Sequence, residues 1–323
     1  MSELHKFLFE GMPVRGMLVR VTEGWQEVLR RRAASGEHPP ELRELLGQMA
    51  AASLLMQANI KFNGSLVLQV FGDGPVKLAV AEAQPDLSFR VMAKQVGEIA
   101  PGATLPDMLN VHGQGRCAIT LDARDRAPGQ QPYQGVVPLN SARNERLGTL
   151  AEVLEQYMLQ SEQLDTRIVL AANDEMAAGL LIQRLPVKGE ANIGTAGEHD
   201  EDRIGGSEDY NRVAMHAATL TREELLALDA DTILRRLFWE EGVQRFEPMS
   251  GALGPRFACT CSRERVGQML RGLGREEIDG VLAERGDVEI GCEFCGLKYL
   301  YDAVDVAALF HASPAHEASE RRM

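Results

Sequence analysis

Residues 287–301 read Asp287-Val288-Glu289-Ile290-Gly291-Cys292-Glu293-Phe294-Cys295-Gly296-Leu297-Lys298-Tyr299-Leu300-Tyr301. Strand-forming residues on either side of the two cysteines predict a strand, a tight turn and a second strand. Gly296 follows the second cysteine, where such a turn favours a residue that can adopt a positive φ. The arrangement is typical of a zinc knuckle and predicts a small metal-binding domain in this part of the chain.

A second cysteine pair, Cys259-Thr260-Cys261, lies upstream, and Cys292 follows Cys261 by 31 positions. Two close pairs separated by a few tens of residues form a pattern of zinc ligands, because four thiolates can surround Zn²⁺ as a tetrahedron. Four thiolates leave no open position for water, which argues against catalytic zinc. The alternative is a thioredoxin-like use of the Cys292–Cys295 pair, although no βαβ pattern surrounds it.

The cysteine chemistry leaves two interpretations of the metal open, a purely structural zinc site and a redox switch. A disulfide within C-x-C closes a small, strained ring, and strained disulfides are labile. Because metal binding is coupled to folding, oxidation would expel zinc and remove its contribution to folding. The fifth cysteine, Cys117, stands alone in a predicted strand over 115–122 and is interpreted as a small buried hydrophobic residue.

The rest of the chain predicts an α+β fold. A β-hairpin is predicted at 65–71 and 76–82, around Gly72-Asp73-Gly74-Pro75, and amphipathic helices are predicted at 41–60 and 147–160. Further strands are predicted at 87–94, 115–122, 133–139, 166–172 and 177–185. The predicted parts are an N-terminal α+β core domain with an antiparallel sheet and helices (1–188), a linker with an acidic Gly-rich loop and helices (189–245), a C-terminal zinc-binding redox-switch domain (246–310) and a polar tail (311–323).

The predicted linker contains an apolar helix over residues 231–240, preceded by a capping box at Thr221–Glu224. The apolar side chains of this helix are Ile233, Leu234, Leu237, Phe238 and Trp239. They are expected to pack against the domains, or to become uncovered when the neighbouring zinc domain unfolds and then to form a surface for non-native proteins.

Charge and hydropathy argue against several classes of function. The chain carries 34 Lys and Arg against 47 Asp and Glu, a net charge of −13, which disfavours a nucleic-acid partner. The longest charge-free apolar stretch, 45–60, is shorter than the roughly 20 residues that span a bilayer. No secretory signal is recognisable, so a cytoplasmic protein without a membrane partner is predicted. Without nucleotide or hydrolase motifs, we predict no catalytic residues and no enzyme activity.

Six stretches together resemble one known family. They are Phe71-Gly72-Asp73-Gly74-Pro75, Tyr157-Met158-Leu159-Gln160-Ser161-Glu162-Gln163, Ala177-Ala178-Gly179-Leu180-Leu181, Arg236-Leu237-Phe238-Trp239-Glu240-Glu241, Cys259-Thr260-Cys261-Ser262-Arg263-Glu264-Arg265 and Cys292-Glu293-Phe294-Cys295. The chain resembles the 33 kDa chaperonin family, the redox-regulated, ATP-independent heat-shock chaperones of bacteria. The likeness runs from about residue 5 to about residue 308.

The resemblance implies a function beyond what the residues alone indicate. Members hold one zinc ion per chain on the four cysteines, here Cys259, Cys261, Cys292 and Cys295, while they are reduced and poor chaperones. Oxidants combined with mild unfolding then produce two disulfides, here Cys259–Cys261 and Cys292–Cys295. Zinc leaves, homodimers form, and the protein holds unfolding clients without ATP. Two other functions stay open, a redox-inert zinc-stabilised interaction module and a thiol oxidoreductase that uses Cys292 and Cys295.

Overall fold

The computed structural model describes residues 1–34, 36–126, 129–186 and 205–311. The chain divides into two compact units, Met1–Ala258 and Cys259–Met323. The first unit contains sheets and helices and the second is a small α+β unit, so the predicted α+β fold class is confirmed. Within the described residues we find no helix with the length and apolar character that membrane crossing requires.

The secondary structure of the first unit alternates between strands and helices. Its strands are β1 (Glu3–Phe9), β2 (Val14–Val21), β3 (Gly64–Phe71), β4 (Val76–Ala83), β5 (Ser88–Gln95), β6 (Arg116–Ala123), β7 (Tyr133–Pro138), β8 (Thr166–Ala172), β9 (Ala177–Arg184), β10 (Val243–Arg245), β11 (Met249–Ser250) and β12 (Arg256–Phe257). Its helices are α1 (Glu23–Ala33), α2 (Pro40–Asn59), α3 (Leu105–Leu109), α4 (Leu150–Ser161), α5 (Glu208–Ala218), α6 (Arg222–Ala227) and α7 (Ala230–Phe238).

Two sheets organise the first unit. Sheet A has the strand order β10-β1-β2-β9-β8 and is antiparallel, with β11 also paired to β1. Sheet B has the order β12-β5-β4-β3-β6-β7, and its only parallel pair among the described strands is β12 with β5. The predicted hairpin and the strands that follow it are confirmed as β3 to β9. The pairing of β1 and β2 with each other and of β2 with β9 was not predicted.

Helix α2 contacts strands of both sheets. The sequence predicts one broad apolar face for this helix, but the helix is buried almost all around, including Ala50, Ala51 and Ala52. A helix that is buried on all sides needs small or apolar residues on every face, because a sheet lies against each side. The three alanines supply the faces that large side chains do not fill.

Helices α5–α7 pack against one face of sheet A. Their apolar side chains join those of β1, β2 and β9 in a core that is separate from the core around α2. Helix α6 begins with the predicted capping box. The Thr221 hydroxyl accepts from the N–H of Glu224, and the Glu224 carboxylate accepts from the N–H of Thr221. The linker helices are therefore ordered and have a buried apolar face.

The predicted domain boundaries stay predictions. The strand pairing after residue 242 differs from one of them, the start of the zinc domain at residue 246. Strands β10 and β11 pair with β1, and β12 pairs with β5, so residues up to Ala258 lie in the first compact unit. The stretch 246–258, assigned from the sequence to the zinc domain, thus has its backbone partners in the first unit. Most of the predicted acidic loop and the polar tail, at 187–204 and 312–323, lie outside the described residues.

The second unit is a short hairpin with three helices. Its elements are α8 (Arg263–Leu273), α9 (Arg275–Arg285), β13 (Val288–Gly291), β14 (Lys298–Tyr301) and α10 (Ala303–His311). Among its described residues, the apolar side chains buried in its core are Leu270, Ile278, Val288, Tyr299, Tyr301 and Val306. Six such residues make a thin core, and domains this small need a metal, disulfides or a partner to be stable.

Candidate metal centre

The four clustered cysteines form two pairs, Cys259 with Cys261 and Cys292 with Cys295, which we call the cysteine clips. Each clip is positioned by a local backbone feature. Cys259 and Cys261 come directly before α8, whose first turn is capped by the hydroxyl of Ser262 as the sequence predicts. Cys292 and Cys295 lie in the turn between β13 and β14. There the N–H of Gly296 donates to the carbonyl of Cys292 at 2.8 Å, and Gly296 has a φ of 70°. Glycine adopts this left-handed conformation without steric penalty, which explains the residue at the turn.

The four sulfur atoms converge on one point of the second unit. All lie within 4.8 Å of one another, and no other group of metal-ligating side chains in the described ranges converges in this way. The Sγ atoms of Cys259 and Cys292 are 3.7 Å apart, and those of Cys261 and Cys295 are 3.4 Å apart. A tetrahedron with Zn–S distances of about 2.3 Å has edges of about 3.8 Å. The predicted ligands therefore fit a tetrahedral metal ion such as zinc.

No disulfide joins the described cysteines in this structure. A disulfide bond has a length of about 2.0 Å, well below the Sγ separations across the cluster. These two separations join cysteines of opposite clips. The arrangement thus corresponds to reduced cysteines that could hold a metal ion.

The four thiols differ in their electrostatic surroundings. Burial raises the pKa of Cys259 and of Cys295 above the usual range. Burial also opposes ionisation of Cys261, but hydrogen bonds from Tyr299 and from the neighbouring thiols outweigh it and lower the pKa of that thiol. A bound cation would keep all four sulfurs ionised, because a coordinating thiol is deprotonated.

Side chains outside the cysteine clips orient the site. The Tyr299 hydroxyl donates to the Sγ of Cys261 at 3.1 Å, and the Arg265 guanidinium donates to the carbonyl of Thr260 at 2.8 Å. Arg263 lies over the ring of Tyr301, with 4.3 Å between the guanidinium carbon and the ring centroid. Tyr299 was not predicted as a site residue. Its strand neighbourhood was predicted, but the direction of its hydroxyl depends on packing within the unit.

Cys117 lies apart from this cluster, in β6 of the first unit. It is fully buried, and burial raises the pKa of its thiol to about 12. The structure therefore places it as a core residue, in agreement with the sequence-based interpretation.

We expect Cys117 to be inert toward thiol reagents in the folded protein, because it is the thiolate that reacts. After removal of metal with a chelator, N-ethylmaleimide is expected to modify the four clustered cysteines and to leave Cys117 unlabelled until denaturant is added. Mass spectrometry of the peptides measures each site. Labelling of Cys117 at the rate of the other four would contradict its placement in the core.

Four of the predicted client-binding residues lie on α7 and the fifth, Trp239, directly follows it. The structure divides the five into two groups. Ile233, Leu234, Leu237 and Phe238 are buried in the core between α5–α7 and sheet A, whereas Trp239 is 74% exposed. The ring of Phe238 meets that of Phe9 edge-on, with 5.0 Å between centroids. Four of the five side chains therefore pack within the first unit, in line with one of the two expectations.

Comparison with known proteins identifies the family. Residues 2–302 match the family model described as Hsp33 protein. The chain belongs to the Hsp33 family. It is 43% identical over 321 residues to the 33 kDa chaperonin of Chromobacterium violaceum, covering 99% of this chain and 98% of that one. It is 42% identical to the 33 kDa chaperonin of Methylobacillus flagellatus, covering 96% and 94% of the two chains.

A solved structure of the same family has the same fold. The crystal structure of the 33 kDa chaperonin of Thermotoga maritima matches with a TM-score of 0.70 and 19% identity, covering 96% of this chain and 98% of that one. Hsp33 membership supports a role as a chaperone and not as an enzyme. The resemblance inferred from the two cysteine clips and the other four stretches is thus confirmed.

Proposed function

We propose that the protein is a redox-regulated, ATP-independent holdase that binds unfolding proteins after oxidative stress. The observation that carries the proposal is the convergence of four cysteine thiols in a unit with a thin core, in a chain of a chaperone family. In the reduced form one zinc ion per chain would bind Cys259, Cys261, Cys292 and Cys295. Bound zinc would hold the two clips together and keep the sulfurs as thiolates.

Oxidation of the thiolates would switch the protein on. A thiolate attacks peroxide to give a sulfenic acid and hydroxide, and a second thiolate then displaces hydroxide to form the disulfide. Following the family resemblance, the proposed pairs are Cys259–Cys261 and Cys292–Cys295. Sγ separations of 3.7 Å and 3.4 Å join opposite clips in the structure, so these contacts would be lost as the within-clip pairs form. Oxidation removes the ligands and with them the metal's contribution to folding.

The surface that would hold clients is proposed to include the apolar side of α7. Ile233, Leu234, Leu237 and Phe238 are buried against sheet A in the reduced form. Their exposure therefore requires α7 to leave the sheet, and unfolding of the zinc unit alone does not remove their partners there. Exposed apolar surface is what binds unfolded chains, which bury apolar side chains on it.

We further propose that oxidised chains form homodimers and that the protein acts in the cytoplasm. A reducing compartment would keep the four thiols available for the metal until oxidants accumulate. The net charge of −13 disfavours a nucleic-acid partner and would help to keep complexes with clients dispersed.

The test is an aggregation assay with a thermally unfolding client. The reduced, zinc-loaded protein is compared with the same protein after warm peroxide, while a chromogenic chelator reports released zinc. We expect about one zinc ion per chain to be released, and aggregation to be suppressed only by the oxidised sample. Light scattering of the oxidised sample reports dimer formation.

Other outcomes would favour the other functions. Zinc that stays bound, with the two samples behaving alike, would indicate a redox-inert interaction module. Catalytic turnover of a dithiol substrate, with little zinc in the reduced protein, would indicate a thiol oxidoreductase. Either result would overturn the proposed switch.

A further inference from the structure

One hydroxyl group in the second unit points at a ligand sulfur. Tyr299 lies on β14 and is 8% exposed, and its hydroxyl donates to the Sγ of Cys261 at 3.1 Å. Its ring belongs to the core of the second unit, together with Leu270 and Ile278. The packing of the ring therefore fixes the direction in which the hydroxyl donates.

A hydrogen bond to a thiolate withdraws charge from the sulfur. The lone pair that accepts the proton is less available to attack an electrophile, and partners of this kind tune the reactivity of metal ligands. Sulfur nucleophilicity rises about threefold for each tenfold rise in basicity, because the Brønsted coefficient is about 0.4–0.5. A single lost hydrogen bond can therefore change the rate of reaction measurably without changing the ligand set.

We propose that Tyr299 is a positioning residue that restrains the reaction of Cys261 with oxidants. This rests on the proposed function, since it assigns Tyr299 a part in setting how readily the thiolate cluster is oxidised. In the step concerned, the Cys261 thiolate attacks one peroxide oxygen, the O–O bond breaks, and sulfenic acid and hydroxide are formed. The sulfur loses two electrons and the peroxide gains them. The Tyr299 hydroxyl slows this step because it competes for the attacking lone pair.

Tyr301 provides a matched control on the same strand. It is also buried in this core, and its hydroxyl also donates a hydrogen bond, at 2.6 Å, but to the backbone carbonyl of Arg263. Tyr301→Phe removes a buried hydroxyl from the same unit without touching a sulfur. Any effect common to Tyr299→Phe and Tyr301→Phe is therefore a packing or stability effect.

The experiment compares the two full-length variants with the unmodified protein, each reduced and loaded with one zinc ion. The samples are exposed to limiting peroxide, and in parallel to limiting N-ethylmaleimide. Released zinc is followed with a chromogenic chelator, and mass spectrometry measures modification of each cysteine. We expect Cys261 of Tyr299→Phe to react about three- to tenfold faster than in the other two proteins.

The result that overturns the proposal is a Cys261 rate in Tyr299→Phe equal to that in Tyr301→Phe, whether both are unchanged or both are faster. The alkylation arm separates this failure from a failure of the proposed function. N-ethylmaleimide reports the nucleophilicity of Cys261 even if peroxide never activates the chaperone. Zinc that peroxide cannot release from the unmodified protein, together with selective alkylation of Cys261 in Tyr299→Phe, would reject the redox switch and retain the role of Tyr299.

Discussion

Cys261→Ser is expected to lose zinc and to unfold the second unit while the first unit stays folded. A serine hydroxyl is a poor zinc ligand, and binding energy for structural zinc is also folding energy. Loss of a hydrogen-bond partner of a metal ligand lowers metal affinity by roughly 10- to 100-fold. Cys261→Ser removes a ligand itself, so we expect its zinc affinity to fall by more than that. With a core of six buried apolar residues in its described part, the second unit has little other stabilisation.

Metal analysis and hydrogen exchange with mass spectrometry test this prediction. Amides in α8, α9 and the β13–β14 hairpin are expected to lose protection, while amides of β3 and β4 keep it. The control is Cys117→Ala, which removes a cysteine outside the cluster and is expected to retain zinc. Stoichiometric zinc and unchanged protection in Cys261→Ser would contradict the four-thiolate site.

The second large effect is expected for Phe238→Ala. This side chain is 3% exposed, and its ring packs edge-on against Phe9 and more loosely against Phe7. Truncation of a buried phenylalanine removes apolar contacts and leaves a cavity, which typically destabilises by about 3–5 kcal/mol. We expect Phe238→Ala to weaken the packing of α5–α7 on sheet A by about this free energy, about 3–5 kcal/mol. If the proposed function is correct, the variant also needs less oxidant or heat for activation.

Trp239→Ala is the matched control, because the adjacent side chain is 74% exposed. Surface substitutions of this kind usually change stability by less than about 0.5 kcal/mol. Denaturant unfolding gives the stability difference, and hydrogen exchange across α5–α7 shows whether the helices open locally. Equal destabilisation by the two substitutions would show that the edge-on packing of Phe238 does not hold α7 in place.

Much of the fold class was accessible from the sequence because its signals are local. The turn residues 72–75 predict the hairpin of β3 and β4, and the capping box at Thr221 predicts the start of α6; both are confirmed. Pairing between distant strands was not accessible in this way. β2 pairs with β9 through contacts such as Leu18 with Leu180, and no local pattern specifies that choice.

The candidate metal ligands could be identified from the sequence, since two short clips of cysteine carry the chemistry of each half of the site. Only the tertiary structure brought the halves together, with Cys259 near Cys292 and Cys261 near Cys295. It also decided that Phe238 is buried whereas Trp239 is exposed, and that the hydroxyl of Tyr299 meets a sulfur. These outcomes depend on which residues pack against each other across the fold, and side-chain burial and direction follow from that packing.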